Sequence, residues 1–557
     1  MSTTVDQVRG FLSESGLNKD KDMSFQSALD LLEILLAHKC CSRCCLRYLG
    51  CPSFGLYVVD EKETHASFCQ ILQAERQKTF EFEDERICTA CVGSIQFAES
   101  FADQVIERIK QENYQVDSSA LFCTLPISIL HRDHFLKLHA VNTLLAEPKE
   151  YTEAFIRHWQ EAFVRDPKDF FRYILASQLK EKINFVLDAD SPLRMTVVIG
   201  HPSSSKEHLF LTQLKQPLLN VRTIRHKKMR MTVGDSRPNI TEALKKLDNI
   251  EAKELTAIPP VFVTERATFE SATFLNNSCY VGGRYLKFSR EYSQTTWIVR
   301  GQKLTENSVS EVFSDIIKKY HRADDTKFCT AGREDANVRM LGTGRPFYFE
   351  IVNPRVPQLA DEDYKKMQDE INSQPQHKDH VQVRHLSPVK QEHLRIIKEG
   401  EETKTKQYRA LVWLSEPLTD ELVERINQSG SCPFTIQQKT PVRVFQRRSA
   451  AVRPKVIHTS TISRLHPDVD MSSPQARFGV LKLHTQAGTY IKEYVHGDLG
   501  RTQPNLASVG QIHSADLLEL DVMDVDLVWP PVFEQEPTSG RVTPSEVSNE
   551  NNKRVLV

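Results

Sequence analysis

Apolar positions in the first half of the chain follow both helical and strand periods. Residues Phe25–Ala37 carry Leu and Ile at helical spacing after Ser24, a plausible N-cap, and this pattern predicts a helix. Residues 155–166 (FIRHWQEAFVRD) predict an amphipathic helix, whereas the β-rich runs MTVVIGH (195–201) and EHLFLTQL (207–214) predict strands. This order of elements is typical of a compact α/β module.

The second half is dominated by short strand-like runs, which are separated by longer helical or polar segments. The runs that predict strands are FYFEIVNP (347–354), RALVWL (409–414), VRVFQ (442–446) and RFGVLKLHT (477–485). The charged segment 359–382 predicts a helix that Pro375 breaks. Such a mixture predicts an α+β domain.

The length of the chain and the breaks in this pattern indicate several domains. At roughly 100–200 residues per domain, 557 residues suffice for about three. Pro259-Pro260 and the turn-rich segment that follows place a boundary at about 265–278. We therefore predict regions at 1–150, 151–265 and 270–534, followed by a disordered tail, 535–557, that has no apolar period.

Charge and hydropathy narrow the class of protein. The chain has 72 Lys+Arg and 73 Asp+Glu, a net charge of −1, so local basic patches rather than a global field must hold any polyanion. No apolar run approaches the roughly 18 residues of a membrane helix, and the start, MSTTVDQVRGFL, does not resemble a signal peptide. We expect no membrane partner and a protein that is cytoplasmic and nuclear.

Twelve cysteines in such a chain indicate metal ligation or buried thiols rather than disulfides. The chain has two C-x-x-C pairs, Cys41 with Cys44 and Cys88 with Cys91. Four thiolates from these pairs could bind one structural zinc ion. The neighbours Cys40 and Cys45 leave the register of the first pair open, and buried reduced thiols are the alternative. A zinc deaminase is excluded, because no histidine is followed two residues later by Glu.

The densest run of functional residue types is Ala331–Phe347 (AGREDANVRMLGTGRPF). Its glycines allow close backbone approach, and its arginines surround two acids, Glu334 and Asp335. The arginines are Arg333, Arg339 and Arg345. Adjacent acids on an extended strand point to opposite faces, so one acid is expected to act alone. The alternative is a loop that is held together by salt bridges.

Three further stretches combine basic, aromatic and acidic residues in strand-like surroundings. Tyr408 opens an apolar strand just after two lysines. Residues 437–458 contain no acid and six basic residues: Lys439, Arg443, Arg447, Arg448, Arg453 and Lys455. In 487–500 a strand end passes into a helix start near Lys492 and Asp498. The basic stretch is the kind of local patch that binding of phosphates would require.

These stretches resemble motifs of pseudouridine synthases. GRED at 332–335 resembles their G-R-T-D, and GTYIK at 488–492 resembles their G-T-Y-I-R. Together with KTKxY, QKTPxRVxxRR and HGDxGRTxPN, they are similar to the class called pseudouridine synthase ten over roughly 279–533. The resemblance implies a catalytic domain with a mixed β-sheet flanked by helices. It also implies an α/β accessory part, with cysteine-bound zinc in 1–150 and a THUMP-like RNA-binding module in 151–265.

The resemblance implies roles for individual residues as well. Asp335 would be the catalytic aspartate, Tyr408 the tyrosine that stacks on the target base, and Lys492 a partner of the aspartate where other pseudouridine synthases have arginine. Asn337 stands where many members carry a second acid. The substrate-binding residues would be Arg333, Arg339, Arg345, Arg443, Arg447, Arg448, Arg453 and Tyr490.

The activity that the resemblance implies is isomerisation of a T-loop uridine of tRNA, at position 54 or 55, to pseudouridine. An aspartate nucleophile can perform this reaction without a catalytic cofactor, after the base has left its stack. The expected partner is the T-arm of tRNA, bound by a monomeric chain. Two alternatives remain open: a non-catalytic RNA-binding or adaptor protein that retains the fold, and a zinc-dependent scaffold for protein partners.

Overall fold

The computed structural model describes residues 4–14, 25–82, 85–146, 165–226, 229–445 and 448–531. These residues belong to two compact units, which divide between Asn277 and Ser278. The tail predicted over 535–557 lies outside the described residues, as does most of the helix predicted over 155–166. Within the part of the chain that is described, no helix is both long and apolar enough to cross a membrane.

The first unit combines helices with a small mixed sheet. Its described helices are α1 (Thr4–Glu14), α2 (Phe25–Ala37), α3 (Ser42–Tyr48), α4 (Glu61–Arg76), α5 (Ala98–Glu112), α6 (Ser128–Ala146), α7 (Pro167–Ile183), α8 (Arg237–Lys245) and α9 (Asn249–Leu255). Its described strands are β1 (Ser118–Thr124), β2 (Val186–Leu187), β3 (Leu193–Gly200), β4 (Arg222–His226), β5 (Met229–Val233) and β6 (Thr268–Asn276). The sheet has the order β2-β1-β3-β6; β1 is parallel to β2 and β3, β6 is antiparallel to β3, and β4 and β5 form a separate hairpin.

Two elements predicted in the first unit are confirmed and one is wrong. Helix α2 spans the predicted residues and buries all of its leucines, and MTVVIGH lies largely in β3. EHLFLTQL forms a short 3-10 helix, Glu207–Thr212, instead of a strand. Phe210, Leu211 and Leu214 are all buried. A helical turn brings these three to one side, whereas a strand would point the adjacent pair to opposite faces.

The boundaries predicted within the first half stay predictions. Strand β1, which precedes residue 150, pairs with β3, which follows it, so the sheet draws on both predicted regions. One core of buried side chains includes residues of α1 to α7, β3 and β6, and a smaller cluster joins α6 to α8 and α9. The segment 265–278 contains β6, and the division between the two units follows directly after that strand.

The second unit is built on a large mixed sheet flanked by helices, which confirms the predicted α+β class. Its described helices are α10 (Val309–His321), α11 (Asp361–Ser373), α12 (Leu394–Thr403), α13 (Asp420–Gly430), α14 (Ile491–His496) and α15 (Leu506–Gly510). Its described strands are β7 (Cys279–Lys287), β8 (Ile298–Val299), β9 (Gln302–Lys303), β10 (Asp325–Thr330), β11 (Val338–Val352), β12 (Val381–Pro388), β13 (Lys406–Leu414), β14 (Phe434–Lys439), β15 (Val452–Arg464), β16 (Phe478–Thr485), β17 (Thr502–Gln503) and β18 (Ala515–Val525). The sheet has the order β12-β7-β11-β18-β13-β16-β15-β14-β17, with β10 paired to β11, and β8 and β9 form a hairpin.

Strand β18 lies in the middle of this sheet. It pairs in parallel with the start of β11 and antiparallel with β13. Further along, β11 bends at Gly342 (φ 61°) and Gly344 (φ 82°), and its later residues pair with β7 and β10. A Cβ on Gly342 would lie 1.8 Å from the carbonyl oxygen of Met523, so only glycine fits there. Since β11 starts beside β18, the loop that precedes β11, residues 331–337, also lies next to β18.

Most elements predicted in the second half are confirmed. FYFEIVNP lies largely in β11, RALVWL in β13 and RFGVLKLHT in β16, and the predicted charged helix is α11, which ends before Pro375. The prediction of a strand at VRVFQ is wrong, because Val442–Val444 form a 3-10 turn. Val442 and Phe445 are exposed by 54% and 50%, so these apolar residues do not form the buried face of a strand.

Candidate active site and cysteine cluster

An open cleft of about 1450 Å³ lies in the second unit. It is lined by the segment 293–299, the loop 332–337, the start of β13, residues 443, 444 and 448, and the segment 487–492 at the start of α14. Leu520 and Val522 of the central strand β18 also contribute to its lining. The sheet therefore brings together segments from almost the whole length of the unit at one cleft.

Asp335 lies in this cleft with half of its side chain exposed. Its Oδ2 accepts a hydrogen bond from Lys492 Nζ at 2.9 Å and lies 3.5 Å from Arg443 Nη1. Lys492 Nζ also donates to Asn337 Oδ1, at 3.4 Å. The predicted pair of Asp335 and Lys492 is thus in direct contact, and a second cation lies close to the same carboxylate oxygen.

The cations around Asp335 decide its ionisation state. Burial raises the pKa of Asp335, but the hydrogen bond and charge of Lys492, together with the charges of Arg443 and Arg333, outweigh burial and bring the pKa below its ordinary value. At neutral pH the group is therefore a carboxylate. A carboxylate at this position can act as a nucleophile or a base but cannot donate a proton.

The neighbouring acid, Glu334, has a different environment. Its side chain is only 1% exposed, and Arg345 Nε donates to its Oε2 at 2.8 Å. The hydroxyl of Tyr285 donates to Oε1 at 2.7 Å, and Gln294 Nε2 donates both to that hydroxyl, at 2.8 Å, and to the Gly332 carbonyl, at 2.9 Å. Glu334 therefore holds the loop in place through its ion pair with Arg345, whereas Asp335 faces the open cleft.

Tyr408 lies near the start of β13 and lines the same cleft. Its backbone is opposite Val522 of β18 on one side and Leu483 of β16 on the other. Burial raises the pKa of Tyr408 to about 12, although the charge of Arg345 acts in the opposite direction. At neutral pH the residue offers an aromatic face and a neutral hydroxyl.

The structure brings some of the predicted substrate-binding residues to the cleft. Those that line it are Arg333, Arg345, Arg443, Arg448 and Tyr490. Arg333 is exposed, but Arg345 is buried and ion-paired, so its position suits support of the loop. Arg443 is held by Glu493, whose Oε1 accepts from its Nε at 2.7 Å.

Two other predicted binding residues, Arg339 and Arg453, do not line the cleft. Arg339 makes a two-fold hydrogen-bonded pair with Asp521, at 2.8 and 2.6 Å, and Arg453 donates to Thr440 Oγ1 at 3.1 Å. Arg447 lies outside the described residues. The basic stretch therefore contributes to the cleft through some of its residues and supports the fold through others.

Lys406 lines the cleft but was not predicted as a site residue, and Lys455, predicted only as a member of the basic stretch, lines it as well. Burial, reinforced by the charge of Arg345, lowers the pKa of Lys406 to about 8. Lys455 Nζ donates to the Ala487 carbonyl at 2.6 Å. A signal for Lys406 was present in the sequence: it stands two residues before Tyr408, so the period of a strand places both on one face.

In the first unit, the four cysteines of the two C-x-x-C pairs lie together. The sulfurs of Cys41, Cys44, Cys88 and Cys91 are all buried and lie within 4.8 Å of one another. Four Zn–S bonds of about 2.3 Å in a tetrahedron separate the sulfurs by roughly 3.8 Å, so these residues fit a metal ion. Cys41 precedes α3, and its Sγ accepts from the Cys44 amide at 3.4 Å. The alternatives for the register, Cys40 and Cys45, are buried beside this group but are not part of it.

Comparisons with known proteins cover both units. Residues 280–526 match the family model described as Pus10, C-terminal, and residues 88–273 match Eukaryotic Pus10, N-terminal. The tRNA pseudouridine synthase Pus10 of Xenopus laevis is 31% identical over 529 residues, which are 90% of this chain and 97% of that protein. Those of Mus musculus and Homo sapiens are 32% and 30% identical and are each covered to 80%. A chain of the archaeal box H/ACA sRNP Nop10–Cbf5 complex aligns with 43% of this chain and 47% of its own length, at 13% identity and a TM-score of 0.21. The resemblance seen in the motifs is confirmed, and the chain belongs to the Pus10 family.

Proposed function

We propose that this protein is a tRNA pseudouridine synthase that converts a T-loop uridine, at position 54 or 55, into pseudouridine. The observation that carries the proposal is the half-exposed carboxylate of Asp335, paired with Lys492 in an open cleft. The relatives named tRNA pseudouridine synthase support the choice of reaction and of substrate.

The reaction matches the groups in the cleft. It breaks the bond from uracil N1 to ribose C1′, turns the base, forms a bond from C5 to C1′, removes the C5 proton and returns a proton to N1. The carboxylate of Asp335 bonds to C1′ or stabilises its positive charge while the base is detached. Because the carboxylate can serve as the nucleophile and the substrate is neither oxidised nor reduced, we expect the isomerisation to proceed without a catalytic cofactor. The contact with Lys492 keeps the carboxylate ionised.

Binding of the substrate would use the other residues of the cleft. A uridine that has left its stack meets the aromatic face of Tyr408, and Arg333, Arg443 and Arg448 contact phosphates of the T-arm. The alternative function, an RNA-binding or adaptor protein without catalysis, is less well supported. It has no use for a carboxylate, an aromatic ring and a lysine that line one cleft.

The proposal is tested by incubating the purified protein with an unmodified tRNA transcript and mapping pseudouridine at single-nucleotide resolution. We expect one T-loop position to be converted. Transcripts with cytidine at position 54 or at position 55 identify which uridine reacts. Absence of pseudouridine from all transcripts, with tRNA binding intact, would favour the adaptor instead.

The cysteine cluster supports a second proposal, that the first unit holds one structural zinc ion. Within the described residues this group of candidate ligands consists of four buried sulfurs alone, which is the kind of closed site that zinc occupies for stability. We further propose that the chain acts as a monomer, in the cytoplasm and the nucleus.

Removal of the aromatic ring of Tyr408 should slow the reaction. Stacking of a base on an aromatic side chain contributes about 1–3 kcal/mol, so Tyr408→Leu should lower the single-turnover rate about 5- to 150-fold. Tyr408→Phe, which keeps the ring, is the matched variant. If the rate of Tyr408→Phe falls about 10²- to 10⁴-fold below that of the wild type, the hydroxyl also transfers a proton in the reaction. Wild-type rates in both variants would remove Tyr408 from the site.

Removal of the charge of Lys492 should change the pH dependence of the reaction. Burial raises the pKa of Asp335 and the contact with Lys492 lowers it, so Lys492→Met shifts this pKa upward. Since the carboxylate is the active form, the rate falls as the pH drops through the pKa, and the acid limb moves to higher pH. Single-turnover rates from about pH 3 to 8 measure the shift, because the ordinary pKa of an Asp carboxyl is about 3.9. Lys492→Arg should leave the limb in place. An identical acid limb in Lys492→Met and the wild type would refute this account.

A further inference from the structure

Three consecutive backbone carbonyls of the loop 331–337, which carries Asp335, accept hydrogen bonds from cationic side chains. The carbonyls belong to Asp335, Ala336 and Asn337. The donors are Lys287 and Arg290, from the end of β7 and the segment that follows it. The reactive residue is therefore fixed through its own backbone as well as through its side chain.

Lys287 provides two of these contacts from a fully buried position. Its Nζ lies 2.7 Å from the Ala336 carbonyl and 3.4 Å from the Asp335 carbonyl. The same ammonium donates to the carbonyls of Tyr292, at 2.9 Å, and Ser289, at 3.3 Å. The residue is 0% exposed. A buried ammonium needs acceptors, and these are main-chain oxygens from two separate segments, which it ties together.

Arg290 provides the third contact and connects the loop to the central strand. Its Nη1 donates to the carbonyls of Asn337 and Leu520, both at 3.0 Å. Its Nη2 donates to Glu519 at 2.7 Å and to Asp521 at 2.8 Å. Arg290 thus has two carboxylate partners on β18, whereas Lys287 donates to four backbone carbonyls.

We propose that Lys287 is a positioning residue of the reaction: its buried ammonium holds the Asp335 and Ala336 carbonyls and so keeps the Asp335 side chain at the distance from Lys492 and C1′ that the reaction requires. A displacement of about 1 Å at a reacting group can cost on the order of 10²-fold in rate. This inference rests on the proposed function of the cleft.

The role requires the protonated form of Lys287, because an uncharged amine has fewer hydrogens for these carbonyls. Burial lowers the pKa of Lys287 to about 8; the charges of Glu334 and Asp335 act against this shift, and those of Arg290 and Arg345 add to it. Two further titratable groups, His377 and His380, lie just before β12 and contact the ring of Tyr292, the residue whose carbonyl accepts a hydrogen bond from Lys287. The active site should therefore lose its support as the pH rises through about 8.

The test compares variants of the full-length protein in single-turnover reactions with a tRNA transcript. Lys287→Met removes the donors, and Lys287→Gln retains an amide that can reach part of the carbonyl set. We expect the rate to fall about 100-fold in Lys287→Met and about tenfold in Lys287→Gln, with the dissociation constant of tRNA within about threefold of wild type. The control is Lys319→Met, which should match the wild type. Lys319 forms an ion pair with Glu370 at the surface, and its side chain is 68% exposed.

The pH profile separates this role from a structural one. The wild-type rate should decline above about pH 8, and the decline should be absent from Lys287→Met. Lys406 has a similarly lowered pKa, so Lys406→Met should retain the decline. A wild-type rate in both Lys287 variants would overturn the proposal, as would a decline that disappears with Lys406 and persists without Lys287. Absence of pseudouridine formation by the wild type would instead refute the proposed function.

Discussion

Protein that carries Asp335→Asn should bind unmodified tRNA with nearly wild-type affinity and form no pseudouridine above background. The substitution keeps the size of a half-exposed side chain but removes the charge that reacts with C1′. Loss of a nucleophile typically lowers turnover by at least about 10⁴-fold, whereas the phosphate contacts that supply most of the affinity remain. Single-turnover mapping of pseudouridine and a binding titration at the same salt concentration measure the two quantities.

Glu334→Gln is the matched control, since it alters the adjacent acid by the same chemical change. Glu334 is buried against Arg345 and Tyr285, so its loss leaves a buried guanidinium without its charge partner. Breaking such a pair costs about 3–5 kcal/mol of stability. We expect a lower thermal midpoint with retained chemistry in the molecules that stay folded. Product formation by Asp335→Asn at a rate close to that of Glu334→Gln would contradict the assignment of Asp335.

Purified wild-type protein, prepared without chelators, should contain one zinc ion per chain, and the Cys41→Ser/Cys88→Ser variant should contain none. Removal of one ligand from each C-x-x-C pair leaves two thiolates at a site whose four sulfurs are buried together. Structural zinc sites contribute on the order of 10 kcal/mol or more to folding, so the first unit should lose its cooperative thermal transition. Elemental analysis and calorimetry measure these two effects.

Cys45→Ser provides the control for the zinc experiment, because Cys45 is also buried but is not part of the four-sulfur group. Its zinc content should equal that of the wild type. Wild-type protein without zinc, or an unchanged transition in the double variant, would favour the alternative of buried reduced thiols. Loss of zinc from Cys45→Ser but not from the double variant would change the register of the ligands.

The sequence predicted the parts of the site that depend on residue type and local period. Glu334 and Asp335 face different surroundings, as was expected of adjacent acids, although they lie in the loop before β11 and not on a strand. The sequence did not reveal which arginines of the run 331–347 face the cleft. Arg339 and Arg345 form ion pairs with Asp521 and Glu334 that depend on the tertiary structure. Lys287 was missed for the same reason, since its acceptors are carbonyls of residues that lie 2 to 49 positions away.

The predicted fold was accurate where burial on one face followed a regular period. Strands β11, β13 and β16 and helix α11 have such periods and were found. EHLFLTQL and VRVFQ were assigned to strands as short β-rich or strand-like runs, each too short for its period to be decisive. In the first, adjacent apolar residues are buried by a helical turn, and in the second, Val442 and Phe445 are about half exposed. A short apolar run does not by itself determine the backbone conformation.

The position of β18 has a consequence for how the chain acquires its fold during synthesis. Residues 515–525 are the last described strand to be made, yet they lie between β11 and β13. Until they emerge from the ribosome, the sheet consists of two separate parts, each with an open edge that can pair with another chain. The two parts of the sheet can therefore join only after β18 has been synthesised. Chains that stop before residue 515 would present both open edges permanently and would be candidates for aggregation and degradation.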